Sequence, residues 1–318
     1  MRQRPITCLF SQLVRWLNDW QNWLVGLLLV IAVLAGCRLW PHPPLRDWQP
    51  SSTAVYDEHG RLLRLTLASD DRYRLWVPLQ EMSPQLVDAV LLHEDRWYRW
   101  HPGFNPYGLA RGAWITYVRR GNPQGGSTVT MQLARLLWKL NTRSPLRKLK
   151  QVARAIQLEL FYSKRQILEA YLNDAPYGRN VEGVGAASLA YFNKSAAELS
   201  LPEALTLAVI PQDPTRRLQA AQNQGGHDGG DGQINPQLAA SRNRLYRHWL
   251  RSHPKDAALG SLFALPLNLR PLSQLPFEAP HAVEQVLAAR RIAGNDSGSR
   301  VTTTLDLDLQ HSLERQIT

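Results

Sequence analysis

A carboxylate on an apolar helical stripe is the first group in this chain that could do chemistry. Ser83-Pro84, a helix-capping residue followed by proline at the first helical position, opens a segment in which positions 87, 90, 91, 94 and 98 share a face. They read Val87, Val90, Leu91, Glu94 and Tyr98. Burying Glu94 among them would disfavour its charged form and raise its pKa toward neutrality, as a general base requires, while nearby arginines would pull it back down. The plainer alternative is a glutamate at the stripe's end that reaches solvent or pairs with Arg96 or Arg99.

Cations supply the second signal. No acid occurs between Asp95 and Glu159, yet that interval carries Arg96, Arg99, Arg111, Arg119, Arg120, Arg135, Lys139, Arg143, Arg147, Lys148, Lys150 and Arg154. One-signed charge on this scale repels itself unless an anion is bound, so the interval reads as a pyrophosphate site, or else as a basic face laid on anionic lipid headgroups. A helix over 145–162 would place Arg147, Gln151 and Arg154 on one stripe and Leu149, Val152, Ala153, Ile156 and Leu160 on the core side. Before it, Gly125-Gly126-Ser127-Thr128-Val129-Thr130 precedes an amphipathic helix bearing Met131, Leu133, Ala134 and Leu137. Such a block offers backbone N–H groups and hydroxyls to an anion, and equally describes an ordinary N-cap.

Other elements must position these groups. Residues 54–56, a turn over 57–60 and residues 62–67 predict a short hairpin, with 73–77 a possible third strand. Helical spacing then runs from Ser83 to about Ile210 and again over 235–251, and a proline-rich tract extends to Ala279. Residues 222–233 (QNQGGHDGGDGQ) read as a flexible loop, favoured over a calcium site at Asp228 and Asp231 because no ligand-spaced acidic loop is present.

Composition fixes the setting. The net charge of +11 points to anionic partners without choosing among nucleic acid, lipid headgroups and phosphate-bearing substrates. Cys8 and Cys37 are the only cysteines, so thiol chemistry and intrachain disulfides are excluded from the body of the chain. Residues 23–37 carry no charge and, with residues 38–40, approach the ~20 residues needed to cross a bilayer. Arg2, Arg4 and Arg15 against Asp19 place the N-terminus in the cytoplasm and all that follows Trp40 outside, which argues against nucleic acid. Leu34-Ala35-Gly36-Cys37 also has the form of a lipoprotein cleavage box, an alternative with the same destination.

Taken in order, these pieces resemble the glycosyltransferase domain of class A penicillin-binding proteins, a lysozyme-like, mainly α fold, with features of the type 1C branch. The motif Glu-Asp-x-x-aromatic-x-x-His-x-Gly is Glu94, Asp95, Tyr98, His101 and Gly103. The Gly-Gly-Ser-Thr-x-Thr block at 125–130 is followed by Gln132 and Arg135. Arg147-Lys148 is the third motif, residues 162–173 (YSKRQILEAYLN) the fourth, and Gly183, Ala187, Tyr191, Phe192 and Lys194 carry the fifth. Two positions depart from the family pattern: Met131 stands where a glutamine is usual, and Gln151 where a second glutamate is usual.

The resemblance implies a peptidoglycan glycosyltransferase. Glu94 would be the catalytic base, with Arg135, Arg147, Lys148, Lys150 and Lys164 opposite a departing pyrophosphate, and Ser127, Thr128 and Gln132 gripping phosphate or sugar. Asp95, His101, Gln151, Glu169 and Asn173 complete the implied substrate site, Glu169 and Asn173 also having a reading as structural residues, which for Glu169 is equally good. Implied partners are lipid II, the growing glycan chain, the membrane and other cell-wall synthesis proteins. No cofactor is required, and a divalent cation (Mg or Mn) is left open.

The expected organisation is a cytoplasmic N-terminus (1–22), a transmembrane anchor (23–40), a spacer with a small β region (41–80), a glycosyltransferase domain (81–220), a Gly-rich loop (221–235), a helical and proline-rich extension (236–300) and the start of a linker toward a transpeptidase domain (301–318). Ser252 and Lys255 form only a chance Ser-x-x-Lys match without Lys-Thr-Gly or Ser-x-Asn companions, so acylation by penicillin is not expected of this chain. Two rival functions stay open: a non-catalytic remnant that binds precursor and recruits partners, and a lysozyme-like hydrolase, which the cationic groove and the span disfavour.

Overall fold

The computed structural model describes residues 6–115, 126–141, 144–219, 235–265, 267–293 and 300–317. The loop read at 222–233, Arg2, Arg4, Arg119, Arg120, Gly125 and Arg143 lie outside them, as do the side chains of residues 6–19. The fold is mainly α, with short strands and a long apolar N-terminal helix. That helix, α1 (Ile6–Leu39), contains the stretch Trp20–Leu39 with a mean hydropathy of 2.0, none of it buried against the rest of the protein. At ~1.5 Å per residue its length matches a bilayer's hydrocarbon core.

Strands β1 (Ala54–Tyr56) and β2 (Leu62–Leu65) form the expected antiparallel hairpin. Its turn is held by the buried carboxylate of Asp57, which accepts from the backbone N–H groups of His59 and Arg61 and from Arg61 Nε. The third strand departs from expectation. β3 (Tyr73–Arg74) leaves the hairpin and pairs in parallel with β4 (Val181–Glu182). The reason is the guanidinium of Arg74, buried here and paired with Glu182 on β4 and with Asp70. The free edge of β1 is taken instead by β5 (Arg300–Thr302) from the far end of the chain, giving the order β2-β1-β5.

The helical body comprises α2 (Pro84–Glu94), α3 (Pro106–Ala113), α4 (Val129–Leu137), α5 (Pro145–Phe161), α6 (Lys164–Asp174), α7 (Val184–Phe192), α8 (Leu201–Val209), α9 (Pro214–Gln219) and α10 (Pro236–Trp249). α8 is buried along its whole length and α7 over Val184–Tyr191, as their mostly apolar sequences require, with the polar side chains of Ser188, Glu203 and Thr206 hydrogen-bonded. α2 packs on α8 and α10, while α4 packs on α5 and α6. Two more helices, α11 (Pro280–Ile292) and α12 (Leu307–Ile317), cover the β2-β1-β5 sheet through a small second core of Val55, Leu63, Val283, Leu287 and Leu307.

Helix α5 corrects a second expectation. Its buried line is Gln151, Ala155 and Leu158, spaced i, i+4, i+7 against α4, while Leu149 and Ala153 are exposed. The glycine at 103 is what lets its loop approach α5: a Cβ on Gly103 would lie 2.9 Å from Ala155 O, and Gly103 itself has φ +88°.

Candidate active site

Glu94 ends α2, the helix that α8 fixes from behind. Its side chain is only 7% exposed, so the buried alternative holds and the solvent-reaching one does not. Oε2 accepts from Gln132 Nε2 at 2.7 Å, and Tyr171 Oη donates in turn to Gln132 Oε1 at 3.4 Å. Oε1 is enclosed, makes no hydrogen bond and lies 3.8 Å from His93 Nε2. Burial raises the Glu94 pKa above the usual carboxylate range, with Asp95 adding to the rise, against the Gln132 hydrogen bond and the charges of Arg217 and Arg135. His93 is itself pushed down to about 4, first by burial and then by Arg217, so at neutral pH it is uncharged and forms no ion pair with Glu94.

Cations stand beside this carboxylate. Lys148 Nζ donates to Ser127 Oγ at 2.6 Å, leaving two of its N–H bonds for another acceptor. Burial lowers the Lys148 pKa, as does the neighbouring positive charge of Arg135. Arg135 acts on both Glu94 and Lys148, and so links the carboxylate and its Gln132 partner to the Lys148–Ser127 pair. Arg147 and Lys150 lie exposed on α5.

Several expected substrate contacts are turned inward. Asp95 accepts from His101 Nε2 and, at 2.9 Å, from the Val129 N–H that begins α4. Thr128 caps α4 through Met131 N and donates to Gly103 O at 2.6 Å. Lys164 Nζ donates to His101 O and to Glu159 Oε1, both at 2.7 Å, and lies over the Tyr98 ring. Together these bonds sew the Glu94 loop to the start of α4.

Glu169 accepts from Trp76 Nε1 and Leu79 N, in keeping with its structural reading. Asn173 is fully buried, with its amide bridging both backbone groups of Val77. Gln151, 2% exposed, donates to Met131 O at 2.6 Å, and its Oε1 is enclosed without a hydrogen bond. Gln151 therefore joins α4 to α5, buried where Arg147, one turn earlier on the same helix, is exposed.

Sequence reasoning missed three residues. Glu159 accepts from both Thr130 Oγ1 and Lys164 Nζ, and its signal was its place as the first acid after the cationic interval. Arg217 exerts its charge on Glu94 from more than a hundred positions away, and Tyr177 is a buried, uncharged phenol close enough for the Glu94 charge to act on it. Neither had a local signal. A divalent ion finds no carboxylate cage here: among the described residues the one group of three close ligand atoms is Glu58, His59 and Asp306, at the hairpin turn. Beside Glu94 the second carboxylate, Asp95, is already bonded to His101 and Val129, and position 151 offers an amide facing Met131.

An enclosed carboxylate served by a glutamine, with cations alongside, on a mainly α fold, fits a glycosyl-transferring enzyme. The family model described as "Transglycosylase" matches residues 59–229, and the chain belongs to this family. It is 36% identical over 295 residues to penicillin-binding protein 1C of Escherichia coli (strain K12), covering 90% of this chain and 34% of that protein. Penicillin-binding protein 2D of Bacillus subtilis (strain 168) is 32% identical, with 85% and 38% covered. Penicillin-binding protein 1A of Vibrio cholerae is 37% identical, with 54% and 20% covered. The chain thus spans a fifth to two-fifths of the length of these relatives.

Proposed function

We propose that this chain is a membrane-anchored peptidoglycan glycosyltransferase that polymerises lipid II into β-1,4-linked glycan strands and releases undecaprenyl pyrophosphate. Glu94 takes the proton from the 4-hydroxyl of the incoming disaccharide as that oxygen attacks the anomeric carbon of the lipid-linked chain, with inversion. The bond from the anomeric carbon to the pyrophosphate oxygen breaks, and the pyrophosphate leaves with the electron pair. Arg135 and Lys148, with Arg147 and Lys150 at the solvent side, offset the charge that develops on it. Asp95, His101, Thr128 and Lys164 are positioning residues in this scheme, since their bonds are spent inside the protein.

The observation that carries this reading is the state of Glu94: buried, raised in proton affinity, held at one oxygen by Gln132 and unbonded at the other. A bilayer setting is supported by α1 and by large exposed apolar side chains at Trp97, Trp100, Tyr107, Trp114, Leu146 and Leu149. The arginines before the span support a cytoplasmic N-terminus and an extracytoplasmic site.

A second reading, a precursor-binding protein without turnover, is favoured by one feature: position 151 supplies an amide committed to Met131 O, where the resemblance leads one to expect a second carboxylate. Polymerisation of labelled lipid II by the detergent-solubilised chain separates the two. Polymer from the parent and a loss of about 10²-fold or more in Glu94→Gln is the expected result. Bound precursor with no polymer from either protein would establish the second reading.

A further inference from the structure

Behind Glu94, between the end of α2, the turn at Gln212, α9 and α10, lies a cavity of about 230 Å³. His93, Gln212, Arg217, Ser241, Arg244 and His248 supply its polar lining, and among the described residues no carboxylate lines it. Arg217 is half-buried; its Nη2 donates to Gln212 Oε1 at 2.9 Å, but Nη1 is enclosed and makes no hydrogen bond. His93 Nε2, on the same wall, is likewise enclosed and unbonded. Arg244 acts against Arg217, and both arginines act against any charge on His93, while the acids that act on Arg217 are Asp213 and Glu94 from outside the lining. Enclosed guanidinium N–H groups without acceptors, among like charges, are costly unless an anion serves them.

We propose that this cavity is an anion site, taking a phosphate or carboxylate group held by Arg217, Arg244 and Ser241 next to the Glu94 carboxylate. Lys148, the cation that the transferase reading assigns to the departing pyrophosphate, is not among its lining residues. Occupancy changes the base. The charged and titratable groups acting on Glu94 are Asp95, Arg135 and Arg217, with His93 in contact and Tyr171 and Tyr177 buried nearby. Arg217 heads the charges that hold Glu94 down, so an anion paired with Arg217 raises the proton affinity of Glu94.

The cavity itself is argued from its lining and does not depend on the transferase reading; only its assignment to a substrate group does. The experiment is a calorimetric titration of the full chain in detergent with inorganic phosphate, with the imidazole NMR resonances of His93 and His248 followed in parallel. Expected is one saturating site that shifts both imidazoles, is weakened about tenfold or more in Arg244→Gln and in Arg217→Gln, and persists in Lys148→Gln. Arg244 is exposed, so its variant tests the site even where Arg217→Gln perturbs folding. Absence of saturation, or binding lost in Lys148→Gln and unchanged in Arg244→Gln, would overturn the proposal. Phosphate that raises the KM for lipid II in the parent but not in Arg244→Gln assigns the site to an anionic group of the substrate, whereas binding without competition assigns it to a free anion.

Discussion

Glu94 is a carboxylate whose environment pulls both ways, and the hydrogen bond from Gln132 is the part of that environment easiest to remove. The bond favours the ionised form, so Gln132→Ala raises the Glu94 pKa further above its ordinary value. A base must be deprotonated to act; the acid-side limb of the kcat/KM profile therefore moves to higher pH in Gln132→Ala, with the activity loss largest in the most acidic buffers. A pH series of polymerisation rates checks this, and an unmoved limb would mean that Gln132 does not set the ionisation of Glu94. Met131, the neighbouring departure from the family pattern, is fully buried in the core that α4 shares with α5, and its backbone carbonyl accepts from Gln151.

At the scale of elements, α6 is the organiser. Asn173 stands in for a neighbouring strand by serving Val77 N and Val77 O, each at 2.8 Å. Asn173→Ala leaves both backbone groups buried and unpaired, at a cost of about 1–3 kcal/mol each, read as a drop in Tm. Gly183 packs against the same residue, where a Cβ would lie 2.3 Å from Asn173 O.

Asp174 ends α6 in a buried position 3.9 Å from Arg74, with no hydrogen bond to either oxygen. Burial pushes its pKa up to about 7 from 3.8, with Arg74 opposing and Glu182 reinforcing the rise. A carboxyl raised on folding stabilises the fold fully below its unfolded pKa, and that contribution is lost as pH climbs through the folded value. Asp174→Asn is therefore expected to flatten the loss of stability between about pH 4 and 7, and to be the more stable protein above pH 7, by on the order of 1–3 kcal/mol. Thermal melts of both proteins across that range give the comparison, and parallel curves would contradict it.

For the whole molecule, the two ends of the chain meet distant partners. α1 touches α5, and Tyr162 at the end of α5 donates to Pro43 O, so the exit of the apolar helix is fixed against the body that carries Lys148. This couples the site to the bilayer surface in the proposed reaction. A variant lacking residues 1–40 is expected to stay with the aqueous fraction in vesicle flotation, while the full chain floats, and to lose most polymerisation of membrane-presented lipid II. Equal flotation of the two would shift membrane attachment to the exposed aromatic and leucine surface of α3 and α5.

Spacing and residue type alone determined much of this protein. The apolar span, the hairpin, the succession of helices and the Glu94 motif were legible because each rests on local periodicity or on a short run of side chains. The pairing of β3 with β4 and of β1 with β5 was not, since strand partners far apart in sequence leave no local mark, and a buried Arg74 needs a carboxylate that only tertiary structure supplies. The same holds at the site. The family resemblance picked out Lys164, Asn173 and Gln151, yet their polar groups face His101 O, Val77 and Met131 O because each buried backbone group nearby requires a partner. Periodicity identified a carboxylate on an apolar face; the packing of α2, α4, α6 and α9 decided that this carboxylate is enclosed, served by Gln132 and influenced by Arg217.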